Sequence, residues 1–291
     1  MSFDSKLQLT EDGSLSVFDP ETRELYHNRA GAYTEALNNY CLPSGLIEKL
    51  QNTDGDREVA LVDACFGLGY NTFVLVEQAA RACQNAAAGA TLRIVGVEID
   101  AAILESTVHI LRDDRFAMMH DALQHSLPLG FGSYKFVCGK LNVQLDVSQG
   151  DLRQCIPALT GEFDAVFHDP FSPRKVPELW TLELFIEYHR LVSARRGAVL
   201  TYSSAKAVRG AIRAAGFRLY KTTGVGGKSG GTLGAVDDRF PANPNVSHLS
   251  PEELKVVESN SGTPYRDEGF ASARQDILRR RERELVSGYR D

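Results

Sequence analysis

VALVDACFGLGYNT, residues 59–72, decides the fold. Val59–Ala64 is a nearly unbroken apolar run, as expected of a strand buried on both faces. CFGLGYN (65–71) is a glycine turn, and TFVLVEQAARAC (72–83) continues as a helix. Gly67 and Gly69 open backbone dihedrals closed to other residues and let a ligand approach the main chain. The dinucleotide fingerprint needs a third glycine, but Thr72 stands in its place, which argues against NAD or FAD.

Further along the chain, strand and helix patterns alternate. LRIVGVEID (92–100) is a second strand with acids at its end, followed by a helix from Ala101. YKFVCGKLNVQLDV (134–147) reads as a hairpin with Gly139-Lys140 at its tip. FDAVFHDPF (163–171) is a buried strand running into a loop. GAVLTYSS (197–204) is another strand, with a helix over 205–215 and a closing pair, FRLYKTT (217–223) and GTLGAVD (231–237). This pattern predicts an α/β, Rossmann-like, mostly parallel seven-stranded sheet with a terminal antiparallel strand, binding its ligand at the carboxyl ends of the strands. Before it, LQLTEDGSLSV (7–17) predicts a hairpin around Asp12-Gly13, and residues 28–50 predict helices broken at Pro43-Ser44-Gly45. The division expected is an N-terminal cap over 1–50, a core over 51–238, and a linker with a C-terminal helical tail over 239–291. The tail, SARQDILRRRERELVSGYRD (272–291), has Ile277, Leu278 and Leu285 to pack with.

The 291 residues are 43% hydrophobic and 24% charged, the balance of a globular chain. No apolar run approaches the ~18–20 residues of a membrane span, so no membrane partner is expected. The start, MSFDSKLQLTEDGS, lacks the basic and apolar regions of a secretory signal. Five scattered cysteines with no C-x-x-C pair argue against a metal site and suit a reducing cytoplasm. A net charge of −6 excludes a uniformly basic nucleic-acid binder, though not a local basic face.

Asp63 with Gly67 and Gly69 spells D-x-x-x-G-x-G, which resembles motif I of Rossmann-like S-adenosylmethionine methyltransferases. In that reading Asp63, Phe66, Gly67, Gly69 and Asn71 form the cofactor turn. Glu98, at the end of the second strand, accepts the ribose hydroxyls, with Asp100 two residues on. Asp151 in SQGDLRQ falls where such enzymes contact the adenine amino group. The plainer reading makes these acids partners of helix N-termini, where the helix dipole favours them.

His168-Asp-Pro-Phe-Ser-Pro173 follows the apolar FDAVF strand. Its prolines fix the turn and remove donors, leaving carbonyls free to accept. A carboxylate with such carbonyls suits an amine nucleophile, whose N–H bonds need aiming. Asp169 is the expected orienting group, and Phe171 a stacking surface or a contact for the sulfonium. His168 alternates away from Asp169 and ranks below it as a base.

VDACFGLGYN, HDPFSPRKVPELWT, LTYSSAKAVRGAIRAAGF and GVGGKSGGTLGA, in this order, resemble the methyltransferase domain of the MnmC-like enzymes of tRNA wobble uridine. TEDGS (10–14) and ELYHNRAGAYTEAL (24–37) are similar to that family's opening, and TPYRD (263–267) to the tail of its standalone, MnmD-like members. The likeness covers roughly residues 8–237. It implies methylation of 5-aminomethyl-2-thiouridine to 5-methylaminomethyl-2-thiouridine, with S-adenosylmethionine as donor, S-adenosylhomocysteine as product, and tRNA as substrate. It implies Asp169 as the catalytic carboxylate, aided by Phe171 and by Tyr26 or His27 from the cap. Glu35 is implied near the cofactor's amino-acid end, beside Gly67, Gly69, Glu98 and Asp151. The chain has neither the length nor the second glycine fingerprint of the family's FAD-dependent oxidase, so no FAD is expected. The preceding oxidation then falls to a separate oxidase or other wobble-uridine modification enzyme in trans.

Residues 201–231 hold six basic side chains and no acid. Lys206, Arg209, Arg213 and Lys228 are the expected RNA contacts, with a strong salt dependence. An ordinary solvated helix face is the alternative. GGKSGG lacks the first glycine of a P-loop and leads into no helix, so ATP binding is rejected. Three functions remain open at this level: the tRNA-base N-methyltransferase, a small-molecule amine methyltransferase or aminopropyltransferase, and a catalytically silent RNA-binding module.

Overall fold

The computed structural model describes residues 7–52, 58–85, 89–224 and 230–287. A small antiparallel sheet of β1 (Leu7–Leu9), β2 (Leu15–Asp19) and β3 (Glu24–Leu25) precedes the main one. The main sheet contains β4 (Glu58–Ala64), β5 (Thr91–Glu98), β6 (Gly132–Cys138), β7 (Leu141–Gln149), β8 (Ala165–His168), β9 (Ala198–Thr201), β10 (Arg218–Thr222), β11 (Thr232–Ala235) and β12 (Val246–His248). Its strand order is β12-β10-β11-β9-β8-β4-β5-β7-β6. β7, β5, β4, β8 and β9 pair in parallel. β11 lies antiparallel between β9 and β10, so β10 runs with the parallel set. Those seven strands, with β11 reversed, are the sheet expected from the alternation. β6 and β12 add an antiparallel strand at each edge, giving nine.

The apolar run of β4 is long because both its faces are covered. Val59 and Leu61 pack into one layer with Phe73 and Leu75, while Ala60, Val62 and Ala64 pack into the other with Trp180, Phe185 and Tyr188. Helices Tyr70–Ala82 and Leu182–Ser193 thus sandwich the sheet.

Residues 239–262, read as a linker from their Pro, Asn and Ser content, instead carry β12 and the helix Pro251–Glu258. The helix has a sequence signature: Ser250 caps the Glu253 amide while the Glu253 carboxylate accepts from the Ser250 amide. Beyond it, the helix Arg274–Ser287 packs through buried Ile277 and half-buried Leu278 and Leu285.

The cap is organised on Asp12. Its carboxylate accepts from Thr10 and Ser14 in the hairpin turn and from the Thr34 amide and hydroxyl in the helix Ala32–Ala36. Burial raises the carboxyl pKa, but the Ser14 and Thr34 hydrogen bonds prevail and hold it at about 2. A π-turn, Leu37–Cys41, widens the next turn and buries Tyr40. The Tyr40 hydroxyl donates to the His168 carbonyl and accepts the Tyr202 amide, joining cap to core.

Candidate active site

The turn after β4 is built from three left-handed residues: Cys65 at φ 67°, Gly67 at 56° and Gly69 at 83°. Cys65 carries a side chain in a region that favours glycine. The two glycines differ in role. Gly67 lines a cavity of about 350 Å³, and its amide donates to Glu98 at 2.8 Å. Gly69 is a packing position: a Cβ there would lie 2.6 Å from the Phe73 ring. Its expected place against the cofactor is therefore corrected.

Asp63 is corrected as well. It is fully buried, outside the cavity lining, and accepts the Thr72 hydroxyl at 2.7 Å. Burial pushes its carboxyl up to about 8. Thr72, the residue that breaks the dinucleotide fingerprint, is thus the tie between strand end and helix start.

Phe66, Asn71, Glu98, Asp100 and Asp151 all line the 350 Å³ cavity at the carboxyl ends of β4, β5 and β7. Glu98 is held by three amides, those of Gly67, Ile99 and Asp100. Burial raises its carboxyl pKa, and these hydrogen bonds oppose the rise. A carboxylate has about four lone-pair sites, so one remains for a ligand hydroxyl. Asp100 and Asp151 also cap helices, accepting the Ala102 and Arg153 amides at 2.9 Å. Arg153 pairs with Asp151 and reaches buried Asp267, so the tail braces this wall. Arg274, paired with Glu178, completes the rim. Arg153, in SQGDLRQ, Glu178, in HDPFSPRKVPELWT, and Arg274, in the charged tail, were not among the expected site residues.

A second cavity, of about 710 Å³, opens between the cap and the loop after β8. Tyr26, His27, Asp169, Pro170 and Phe171 line both cavities and so form their partition. Asp169 accepts the Asn71 amide at 2.8 Å. Burial raises its pKa, with the Asn71 hydrogen bond opposing. His168 points to the other face, as alternation requires, buried against Trp180 and bonded to Tyr188.

The carbonyls of His168, Pro170 and Phe171 each accept one hydrogen bond, from Tyr40, Tyr202 and Trp180. The Asp169 carboxylate, which accepts from Asn71, is the charged acceptor that lines both cavities. Glu24, which was not among the expected site residues, fixes this loop by accepting the Ser172 amide at 3.0 Å and its hydroxyl at 2.6 Å.

Tyr26 meets Phe171 edge-on at 5.0 Å between ring centroids. Burial, then Glu98 and Asp100, push its phenol up, so it stays protonated. Burial takes His27 down to about 4, so its ring is neutral at physiological pH and a weak base. Glu35 lines the larger cavity and accepts the Asn28 amide at 2.9 Å.

The helix Pro251–Glu258 sets acids against part of the basic face. Arg209 is buried, donates to Thr232 and faces Glu253 at 3.9 Å, so it cannot reach a phosphate. Arg213 pairs with Glu258, and Lys221 with Glu253. The expected RNA contact at buried Arg209 is therefore corrected, while Arg213 lies at the surface beside Glu258. Lys206 is exposed, and Lys228 lies outside the described residues.

The sequence model of the S-adenosyl-L-methionine-dependent methyltransferase family matches residues 114–237. The chain is 31% identical over 216 residues to the tRNA 5-methylaminomethyl-2-thiouridine biosynthesis bifunctional protein MnmC of Pseudomonas fluorescens, covering 73% of this chain and 31% of that protein. An uncharacterised protein of Methanocaldococcus jannaschii is 27% identical over 94% of this chain and 70% of its own length. The crystal structure of MnmC2 from Aquifex aeolicus superposes with a TM-score of 0.77 at 25% identity, over 97% of this chain and 85% of that one. With the strand order and the cavity at the strand ends, these likenesses define an S-adenosylmethionine-dependent methyltransferase. Within that class the chain is an MnmC-like methyltransferase domain, spanning about a third of the bifunctional relatives' length, 31% in the Pseudomonas fluorescens protein.

Glu98→Gln tests the cofactor wall. It keeps the volume but turns one oxygen into a donor facing amide N–H groups. S-adenosylmethionine should bind about tenfold more weakly by calorimetry. Unchanged affinity would remove Glu98 from the site.

Proposed function

We propose that this chain methylates the primary amine of 5-aminomethyl-2-thiouridine at the tRNA wobble position, giving 5-methylaminomethyl-2-thiouridine. The observation that supports it is the partition: Asp169 stands between a nucleoside-sized cavity at the strand ends and a larger one open toward the cap.

The residues fit S-adenosylmethionine. Glu98 retains an acceptor site for a ribose hydroxyl. Asn71 Oδ1 and His27 Nδ1 are buried and unpartnered among the described residues, and both residues line the same cavity. A polar ligand there satisfies atoms that are otherwise costly to bury. Phe66 and Phe171 give that cavity apolar walls.

When bound, S-adenosylmethionine supplies a methyl carbon made electrophilic by its sulfonium, and S-adenosylhomocysteine is released. Asp169 accepts an N–H of the neutral amine and aims its lone pair at that carbon. The N–C bond forms as C–S breaks, and the new secondary ammonium gives its extra proton toward Asp169. Phe171 and Tyr26 exclude water, and positioning supplies most of the acceleration. Incubation with methyl-labelled S-adenosylmethionine and tRNA carrying aminomethyl-thiouridine should place the label in methylaminomethyl-thiouridine after nucleoside digestion. Label appearing only in free amines would favour a small-molecule enzyme, and no transfer at all a silent module.

A further inference from the structure

Resting on that substrate, we infer that the cap, and not the basic helix Lys206–Ala214, grips the RNA backbone flanking the target base. Arg23 and Arg29 are exposed, line the 710 Å³ cavity, and have no ion-pair partner among the described residues. Phe18, 39% exposed, shares their rim. An aromatic face beside two free guanidiniums is the chemistry that holds single-stranded RNA, one stacking on a base and the others taking phosphates.

The rim is built, not incidental. Arg23 sits at φ 59°, a left-handed conformation unfavourable for a side-chain-bearing residue. Asp19 imposes it: its carboxylate accepts the Thr22 amide and hydroxyl, and its carbonyl accepts the Arg23 amide. The turn therefore presents Arg23 to the cavity at a cost in backbone energy.

Charge is sorted with depth. The acids of this cavity lie deeper than the two arginines and are held in place by neutral donors, Glu24 by Ser172, Glu35 by Asn28 and Asp169 by Asn71. The cations stand outermost. In a chain of net charge −6 a polyanion needs such a local attraction, and on the helix that looked basic Arg209 and Arg213 face Glu253 and Glu258. The geometry gives a path: phosphates on Arg23 and Arg29, a neighbouring base on Phe18, and the modified base directed inward to Asp169.

The test measures binding of a wobble-uridine stem-loop RNA by fluorescence anisotropy against potassium chloride concentration. The Arg23→Ala/Arg29→Ala double variant should bind at least about tenfold more weakly near 0.1 M salt, and its log–log salt slope should fall by about 1.4. Phe18→Ala should weaken binding about tenfold with the slope unchanged, because stacking releases no counterions. Lys206→Ala/Arg213→Ala should match wild type. Thermal melting of each variant separates lost contacts from misfolding. Wild-type affinity and slope in the arginine variant, or the loss appearing in the Lys206/Arg213 variant instead, overturns this surface while leaving the methylation reaction standing. Wild-type protein that binds no RNA and methylates only free amines overturns the proposed substrate, and this surface with it.

Discussion

Asp169→Asn should lower kcat by about 10³-fold while S-adenosylmethionine affinity stays within about twofold of wild type. The amide keeps the shape of the carboxylate and its contact with Asn71 after a flip, but has no charge to hold the proton leaving the ammonium. The pH profile carries the sign. Burial raises the Asp169 pKa above its ordinary value, so in wild type the charged form is lost as pH falls through that raised value. The amine must also be neutral, so turnover should rise with pH from 6 toward 9. In the asparagine variant the acidic limb belonging to Asp169 should vanish and the amine limb remain. Stopped-flow single turnover with calorimetry of cofactor binding reads both parts. A variant with unaltered kcat would move the chemistry away from this loop.

Gly31→Ala should unseat the cap. Gly31 lies at φ 146°, and a Cβ built there falls 2.0 Å from the Asp12 carboxylate. The added methyl and the hydrogen bonds of Asp12 cannot coexist, a cost of about 3 kcal/mol when strain and lost bonds are taken together. For a domain of this size the melting temperature should fall by roughly 5 °C. Because Tyr26, His27, Glu24 and Glu35 belong to the cap, turnover should fall with it. Asp12 also sets a pH signature. Its folded pKa of about 2 is below its ordinary value of 3.8, so its contribution is present above 3.8 and is lost as pH falls toward 2. In Asp12→Asn that contribution should be missing at neutral pH, and the gap to wild type should close in acid. A Gly31→Ala protein melting with wild type would show the cap to be indifferent to its own hinge.

The parallel sheet was legible because a strand covered on both faces writes a continuous apolar run, as Val59–Val62 and Ala165–Phe167 do. Glu98, Asp151 and Asp169 were singled out because strand ends carry ligands in such sheets, and the structure brings all three to one cavity. The misreadings share a cause: composition and spacing do not reveal partners distant in sequence. Arg209 and Arg213 look like a phosphate-binding stripe until the helix Pro251–Glu258 supplies acids. Asp63 fits a motif, yet its contact with Thr72 turns it inward. Gly69 promises a backbone approach, yet its missing side chain makes room for Phe73. Glu24, Tyr202 and Arg274 have no local signature, and each matters only through residues far along the chain.

The bond from Glu24 to Ser172 spans 148 positions. During synthesis, at roughly 10 residues per second, the first of these residues waits about 15 s for the second to leave the ribosome. The N-terminal hairpin can close early, since Asp12 and Thr34 are near neighbours, but the wall it shares with the core is finished late. A nascent chain halted before Ser172 would hold a formed hairpin and half a crevice, a species exposed to proteases and chaperones until the remaining strands arrive.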